Sequence, residues 1–124
     1  MTKPAALHSF WSQFLPAYDE NTVPTGEDHP SFPYLTYNAV SDTLDHPVPM
    51  HASLWYRSPS WVEIEQKANE ISEAIGWGGE VLPIDGGYIW IRRGTPFSQR
   101  MNEPEDDTIR RMYITISAEF LTAD

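Results

Sequence analysis

Four histidines, eighteen carboxylates and no cysteine bound the chemistry open to this chain of 124 residues. Two histidines sit in a repeated triplet, Asp28-His29-Pro30 and Asp45-His46-Pro47, while His8 and His51 stand apart. A metal site needs three or four converging ligands, and two Asp-His loops could contribute to one. Proline, however, holds the residue before it in extended conformations, and aspartate favours turns, so loop punctuation accounts for both triplets as well. We therefore assign no metal ligand and no cofactor. Acid–base catalysis by a carboxylate pair would draw on Glu103, Glu105, Asp106 and Asp107. Catalytic carboxylates are partly desolvated and rigidly held, whereas this run lies in polar sequence and reads as a solvated face. Ser9, Ser60 and Ser98 lack a nucleophile-elbow context. Gly78-Gly79 and Gly86-Gly87 match no phosphate or dinucleotide fingerprint. Without a catalytic signature, the chain reads as a protein that docks and is not an enzyme.

Docking has better candidates. The bases are six arginines and two lysines, and Arg92, Arg93, Arg100, Arg110 and Arg111 all fall between Asp85 and Thr122. Arginine's planar fork bonds carboxylates bidentately and is favoured at protein interfaces, where lysine is depleted. A solvated, salt-bridged strand surface is the plainer use of the same residues. Of five tryptophans, Trp11 and Trp61 fall on helix core stripes. Trp55 lies opposite the apolar side of its strand, and Trp90 shares a side with Arg92. Aromatic and arginine residues together on a sheet surface have the composition of an interface core. Trp55, Arg57, Trp90, Arg92, Arg93, Arg100, Arg110 and Arg111 are thus the candidate interface. From another class, a small ligand-binding or hydrolytic domain could use Trp55 and Trp90 to line a cleft.

A formal charge of −10 disfavours stable nucleic-acid binding, which is rewarded by concentrated lysine and arginine. The length suits one domain, residues 1–124, with a single core. No run approaches the roughly 18 apolar residues that cross a bilayer, and Met1-Thr2-Lys3-Pro4 lacks a signal-peptide core. A soluble protein kept in the cytoplasm, or released by lysis, is the simplest expectation. Without cysteine, packing alone must supply stability.

The positioning elements follow from periodicity. Thr2 caps a helix expected over Thr2–Leu15, with Pro4 in its first turn and Leu7, Phe10, Trp11 and Phe14 on one face. Ala17–Ser31 reads as a loop and Phe32–Val40 as a strand carrying Leu35, Tyr37 and Ala39 on one side. After the loop Ser41–Pro49, Met50, Ala52, Leu54 and Tyr56 alternate with polar or aromatic residues in a second strand. Ser60-Trp61-Val62-Glu63 reads as a capping box opening a helix whose stripe is Trp61, Ile64, Ala68, Ile71 and Ile75, stopped by Gly78-Gly79. Val81–Ile84 is a short strand, and Pro83 argues for an edge or a bulge there. Asp85-Gly86-Gly87 is a hairpin signal leading into Tyr88–Ile91. Thr95–Thr108 reads as a long charged loop that orders on assembly. In the last strand Met112, Ile114, Ile116, Ala118 and Phe120 alternate with polar neighbours. The order α-β-β-α-β-β-β implies an α+β domain with a mostly antiparallel sheet of about five strands and two helices on one face.

Several segments together resemble a known group: Leu54-Trp55-Tyr56-Arg57-Ser58, the helix with Glu63 and Ile64, Ile84-Asp85-Gly86-Gly87-Tyr88, Arg93-Gly94-Thr95-Pro96-Phe97, Gln99-Arg100-Met101, Ile109-Arg110-Arg111 and Glu119-Phe120-Leu121-Thr122. Across residues 32–122 the chain resembles small tail-assembly proteins of long-tailed bacteriophages and prophages, most of all the tail terminator, or tail-completion, proteins. The resemblance implies a virion protein of the tail or neck, assembled in the host cytoplasm. It implies a ring, commonly a hexamer, that caps the tail tube and joins it to the head connector. Its partners would be further copies of itself, the tail-tube protein and a head-connector or neck protein, with DNA only passing through. A head-completion or connector role is the neighbouring alternative. In such a ring, Glu103, Glu105, Asp106 and Asp107 would face the lumen or a partner. An acidic lumen repels phosphate, so DNA would transit without adhering. Repulsion between copies would have to be offset by arginine–carboxylate contacts, which favours assembly on a template.

Overall fold

A computed structural model describes residues 1–44 and 46–123. The first helix, α1 (Lys3–Ser12), starts where Thr2 Oγ1 accepts the Ala5 N–H at 3.2 Å, with proline in its first turn. It stops three residues short of the expected Leu15. The expected loop Ala17–Ser31 is a correction: it holds a strand, β1 (Ala17–Asp19), and a short 3-10 turn, Gly26–Asp28. Three residues are too few to show alternation, and β1 exists through its parallel pairing with β2 (Tyr34–Tyr37). β2 is shorter than expected, and Ala39 lies beyond it, exposed.

β3 (Val48–Arg57) pairs antiparallel with β2 and, along its whole length, with β6 (Ile109–Thr122). Between β3 and the remaining strands runs α2 (Val62–Ile75). Its expected capping box does not form. Trp61 occupies the cap without a side-chain bond, while the Ser60 hydroxyl accepts the Val62 N–H at 3.1 Å, one residue short of the box pattern. The helix ends at Gly76, not at Gly78-Gly79, because Gly76 takes the positive φ of 72° that a helix stop favours. β4 (Glu80–Ile84) is an edge strand, as Pro83 implied, and joins β5 (Gly87–Met101) through Asp85-Gly86. Of the residues in that turn only Gly86 has positive φ, 81°, so the turn is not the doubly left-handed type.

The six strands lie in the order β1-β2-β3-β6-β5-β4, one more strand than expected and antiparallel except for β1. The largest correction falls on Thr95–Thr108. β5 continues to Met101 and leaves only residues 102–108 between strands. A bulge between Arg93 and Ser98 resets the register, after which Ser98 faces Ile114 and Arg100 faces Met112. The bulge breaks the period-two pattern, and the inward positions beyond it are polar, so the strand leaves no apolar alternation to read.

Met50, Ala52, Leu54, Tyr56, Ile89, Ile91, Met112, Ile114, Ile116, Ala118 and Phe120 are buried on one face of the sheet. Ile64, Ala68, Ile71 and Ile75 of α2 and Leu7, Phe10 and Trp11 of α1 join them in one core. α1 touches both edge strands, β1 and β4, so the sheet curls around the helices. Each buried isoleucine contributes about 1.5–3 kcal/mol relative to exposure. This is an α+β domain with both helices on the concave face. No described helix is long and apolar enough to cross a membrane.

Candidate functional site

β3 and β5 finish, and β6 begins, at one end of the sheet, and arginines gather there. Their register sets Trp55 opposite Arg111, Tyr56 opposite Arg110, Arg57 opposite Ile109, Met101 opposite Arg111 and Arg100 opposite Met112. Alternation then sends Trp55, Arg57 and Arg111 to the convex face and Arg100 and Arg110 to the helix side.

On the convex face Trp55 stacks on Tyr34, with ring centres 6.0 Å apart and planes at 10°. Its indole N–H donates to Thr36 Oγ1 at 3.0 Å. The Arg111 guanidinium lies 4.8 Å from the Trp55 ring, donates to Ser53 Oγ at 3.1 Å and sits 3.6 Å from the Glu103 carboxylate. Arg57 lies 4.8 Å from the Phe32 ring and donates to Thr108 Oγ1 at 2.7 Å and Asp106 at 3.3 Å. Burial, with Glu103 nearby, raises the Tyr34 hydroxyl above its ordinary pKa.

On the helix side Trp61 receives two cations: Arg100 at 4.7 Å and Arg110 at 5.3 Å from its ring. Arg100 pairs with Glu65 of α2, Nε at 2.7 Å and Nη2 at 2.6 Å. Arg110 has no carboxylate within ion-pair distance among the described residues. It donates to the backbone carbonyls of Asp107 at 2.7 Å, Pro59 at 3.1 Å and Ile109 at 3.4 Å, and its Nε is buried without a partner. A cavity of about 390 Å³ opens beside Trp61, Arg100 and Arg110.

The acidic run forms the rim of this end. Asp106 Oδ1 accepts from the Thr108 hydroxyl at 2.6 Å and the Thr108 N–H at 2.9 Å. These bonds, the hydroxyl first, with help from Arg57, hold the Asp106 carboxyl below its ordinary pKa. Glu103 serves Arg111; Glu105 and Asp107 make no side-chain ion pair among the described residues. The chain has 8 bases and 18 acids. Removing the four arginines and the four acids of this end leaves 4 bases against 14 acids elsewhere.

The other candidates are dispersed. Arg92 lies 4.2 Å from the Trp90 ring and 3.8 Å from Glu119, and Trp90 donates to the Gly78 carbonyl at 2.8 Å. Arg93 turns to the helix side and donates to Ser72 at 2.9 Å. Trp55 pairs with Arg111 and Trp90 with Glu119, eight residues apart on β6. That is about 26 Å along the strand at roughly 3.3 Å per residue, so the two tryptophans do not line one cleft.

The histidines are likewise separate. His8 Nδ1 lies 3.0 Å from the Tyr37 hydroxyl, and His29 Nδ1 lies 3.0 Å from its neighbour's carbonyl, Pro30 O. His51 Nε2 lies 3.1 Å from Glu20 and its ring stacks on Tyr113 at 5.1 Å. Asp45 of the second triplet lies outside the described residues. Among the described residues no three histidine or carboxylate groups converge as a metal site would require.

Two features were not legible in advance. Trp77 is fully exposed, and Val81 and Tyr88 are half-exposed; the only hint for Trp77 was its Gly-Trp-Gly-Gly setting. Glu80 lines a cavity of about 520 Å³ between α1 and β4, where one carboxylate oxygen is buried without a partner and burial raises its pKa. No known protein family matches the chain, and neither does any curated protein.

Proposed function

We propose that the chain is a structural subunit of a phage tail, a tail terminator. In this reading copies form a ring, a hexamer by the resemblance, that caps the tail tube and joins it to the head connector. It performs no catalysis, and its place is the virion. The observation that carries the reading is the convergence at one end of the sheet. Leu54–Ser58, Gln99–Met101 and Ile109–Arg111, three of the segments that carry the resemblance, lie side by side there through strand register. They bring Trp55, Trp61 and four arginines together in a chain that is otherwise strongly acidic. Tryptophan and arginine are the residues that dominate binding energy at protein interfaces. A charge-balanced, arginine-bearing end beside an acidic remainder gives one subunit two unlike surfaces, as head-to-tail contacts that close into rings require. An acidic remainder keeps phosphate from adhering, as passage of DNA requires.

Electron microscopy of particles from a strain lacking this protein tests the reading. Overlong or headless tails are the expected result. Empty tailless heads would shift the role to a head-completion protein, and normal particles would refute both.

A further inference from the structure

We infer that the cavity beside Trp61 is a socket for a carboxylate of a neighbouring copy, with Arg110 as its anchor; the inference rests on the ring reading above. Three arginines at this end already have a carboxylate of their own chain: Arg57 with Asp106 at 3.3 Å, Arg100 with Glu65 at 2.6 Å and Arg111 with Glu103 at 3.6 Å. Arg110 does not, among the described residues. Its ligands are three neutral carbonyls, and its buried Nε–H points at no acceptor. An arginine keeps its charge at any ordinary pH, so this site holds an uncompensated cation. A second guanidinium, Arg100, shares the Trp61 ring with it. Glu65 already offsets Arg100, so Arg110 is the charge on this ring that an incoming carboxylate newly pairs.

Charge complementarity selects the occupant. The cavity lining is balanced, Arg100 and Arg110 against Glu103 and Asp107, but Glu103 already serves Arg111 and Glu65 serves Arg100. The chain outside this end has 14 acids and 4 bases, so a further copy offers Arg110 carboxylates in excess. A nucleic acid would bring rows of phosphates into that same acidic surround, which opposes them. Asp107 lines the cavity as well and makes no side-chain ion pair among the described residues. It is the internal competitor for the incoming carboxylate. Removing its charge leaves the lining net positive, so Asp107→Asn and Arg110→Gln act with opposite signs.

Sedimentation velocity on the full chain up to millimolar concentration, with salt near ~0.3 M to screen the general repulsion, measures the assembly midpoint. The proposal expects Arg110→Gln to raise the midpoint at least about ten-fold, as loss of one partner of a desolvated charge pair does. Arg110→Lys recovers part of the loss, and Asp107→Asn assembles at lower concentration than the parent. The Arg110 Nε–H signal in an NMR spectrum shifts on assembly. Arg100→Gln leaves the carbonyl contacts of Arg110 in place and weakens assembly too, which covers the case of a misfolded Arg110 variant. If the parent assembles and both glutamine variants assemble equally well, with the Nε–H signal unmoved, the socket is wrong and the ring stands. A parent that stays monomeric throughout overturns the self-contact, leaving the ring to particle imaging. A Nε–H shift on adding a short DNA duplex, and none on assembly, would assign the socket to phosphate instead.

Discussion

On β6, Met112, Ile114, Ile116, Ala118 and Phe120 point into the core, while two residues upstream Arg110 and Arg111 serve opposite faces of the sheet end. One strand thus contributes to two regions of different construction. The concave face is apolar, continuous across six strands and two helices, and held by burial that is additive over many small contacts. The loop end is a set of cations laid on aromatic rings, each tied by a few hydrogen bonds to partners far along the chain. The first region stabilises the fold through area removed from water. The second places charge at a defined spot at small cost to stability, because exposed ion pairs contribute only about 0–1 kcal/mol.

That difference is measurable. Ile71 is fully buried on the stripe of α2 that faces the sheet. Ile71→Ala is expected to cost about 2–5 kcal/mol in chemical denaturation, the range for truncating a buried isoleucine. A loss below about half a kcal/mol would place the helix on the wrong face. At the loop end the expectation is much smaller. Arg111→Gln removes an ion pair at 3.6 Å and a bond to Ser53, and is expected to cost about 1 kcal/mol or less. A cost matching that of Ile71→Ala would make the loop end part of the fold's foundation and erase the contrast.

The smallest effect concerns pH. The Asp106 carboxyl is held below its ordinary pKa, first by the Thr108 hydroxyl, then by the Thr108 N–H and Arg57. A lowered folded-state pKa means a contribution present in full above the unfolded value of about 3.9 and lost as pH falls through the lowered one. Protection of the Thr108 amide from hydrogen exchange should therefore persist at pH 5 and weaken progressively in that acid window. Protection that is unchanged down to pH 2 would mean that the turn does not depend on the carboxylate.

The same contrast governs how much could be read from the chain. The inward residues of β3, α2 and β6 follow spacings of two or of three and four, which local sequence displays, and those stripes are buried as expected except at Trp61, which caps α2 half-buried under Arg100 and Arg110. β1 was invisible because three residues cannot show a period and its partner lies eighteen positions on, Ala17 against Leu35. The second half of β5 was hidden by the bulge at Arg93–Ser98 and by the inward polar residues Ser98 and Arg100, the latter paired with Glu65 of α2. Composition singled out the arginines and the acidic run but could not group them. Bringing Arg57 to Thr108 and Arg110 to Pro59 depends on pairings some fifty residues apart. The separation of Trp55 from Trp90 was hidden for the same reason.

The most direct measurement of the central claim, that the loop end meets other subunits while the concave face holds each one together, is hydrogen exchange on the free chain and on the assembled particle. The account predicts that residues 102–111 gain strong protection on assembly. The amides of Met112, Ile114 and Ile116, already slow in the free chain, should change little. Equal exchange at the loop end in both states, with new protection confined elsewhere, would contradict it.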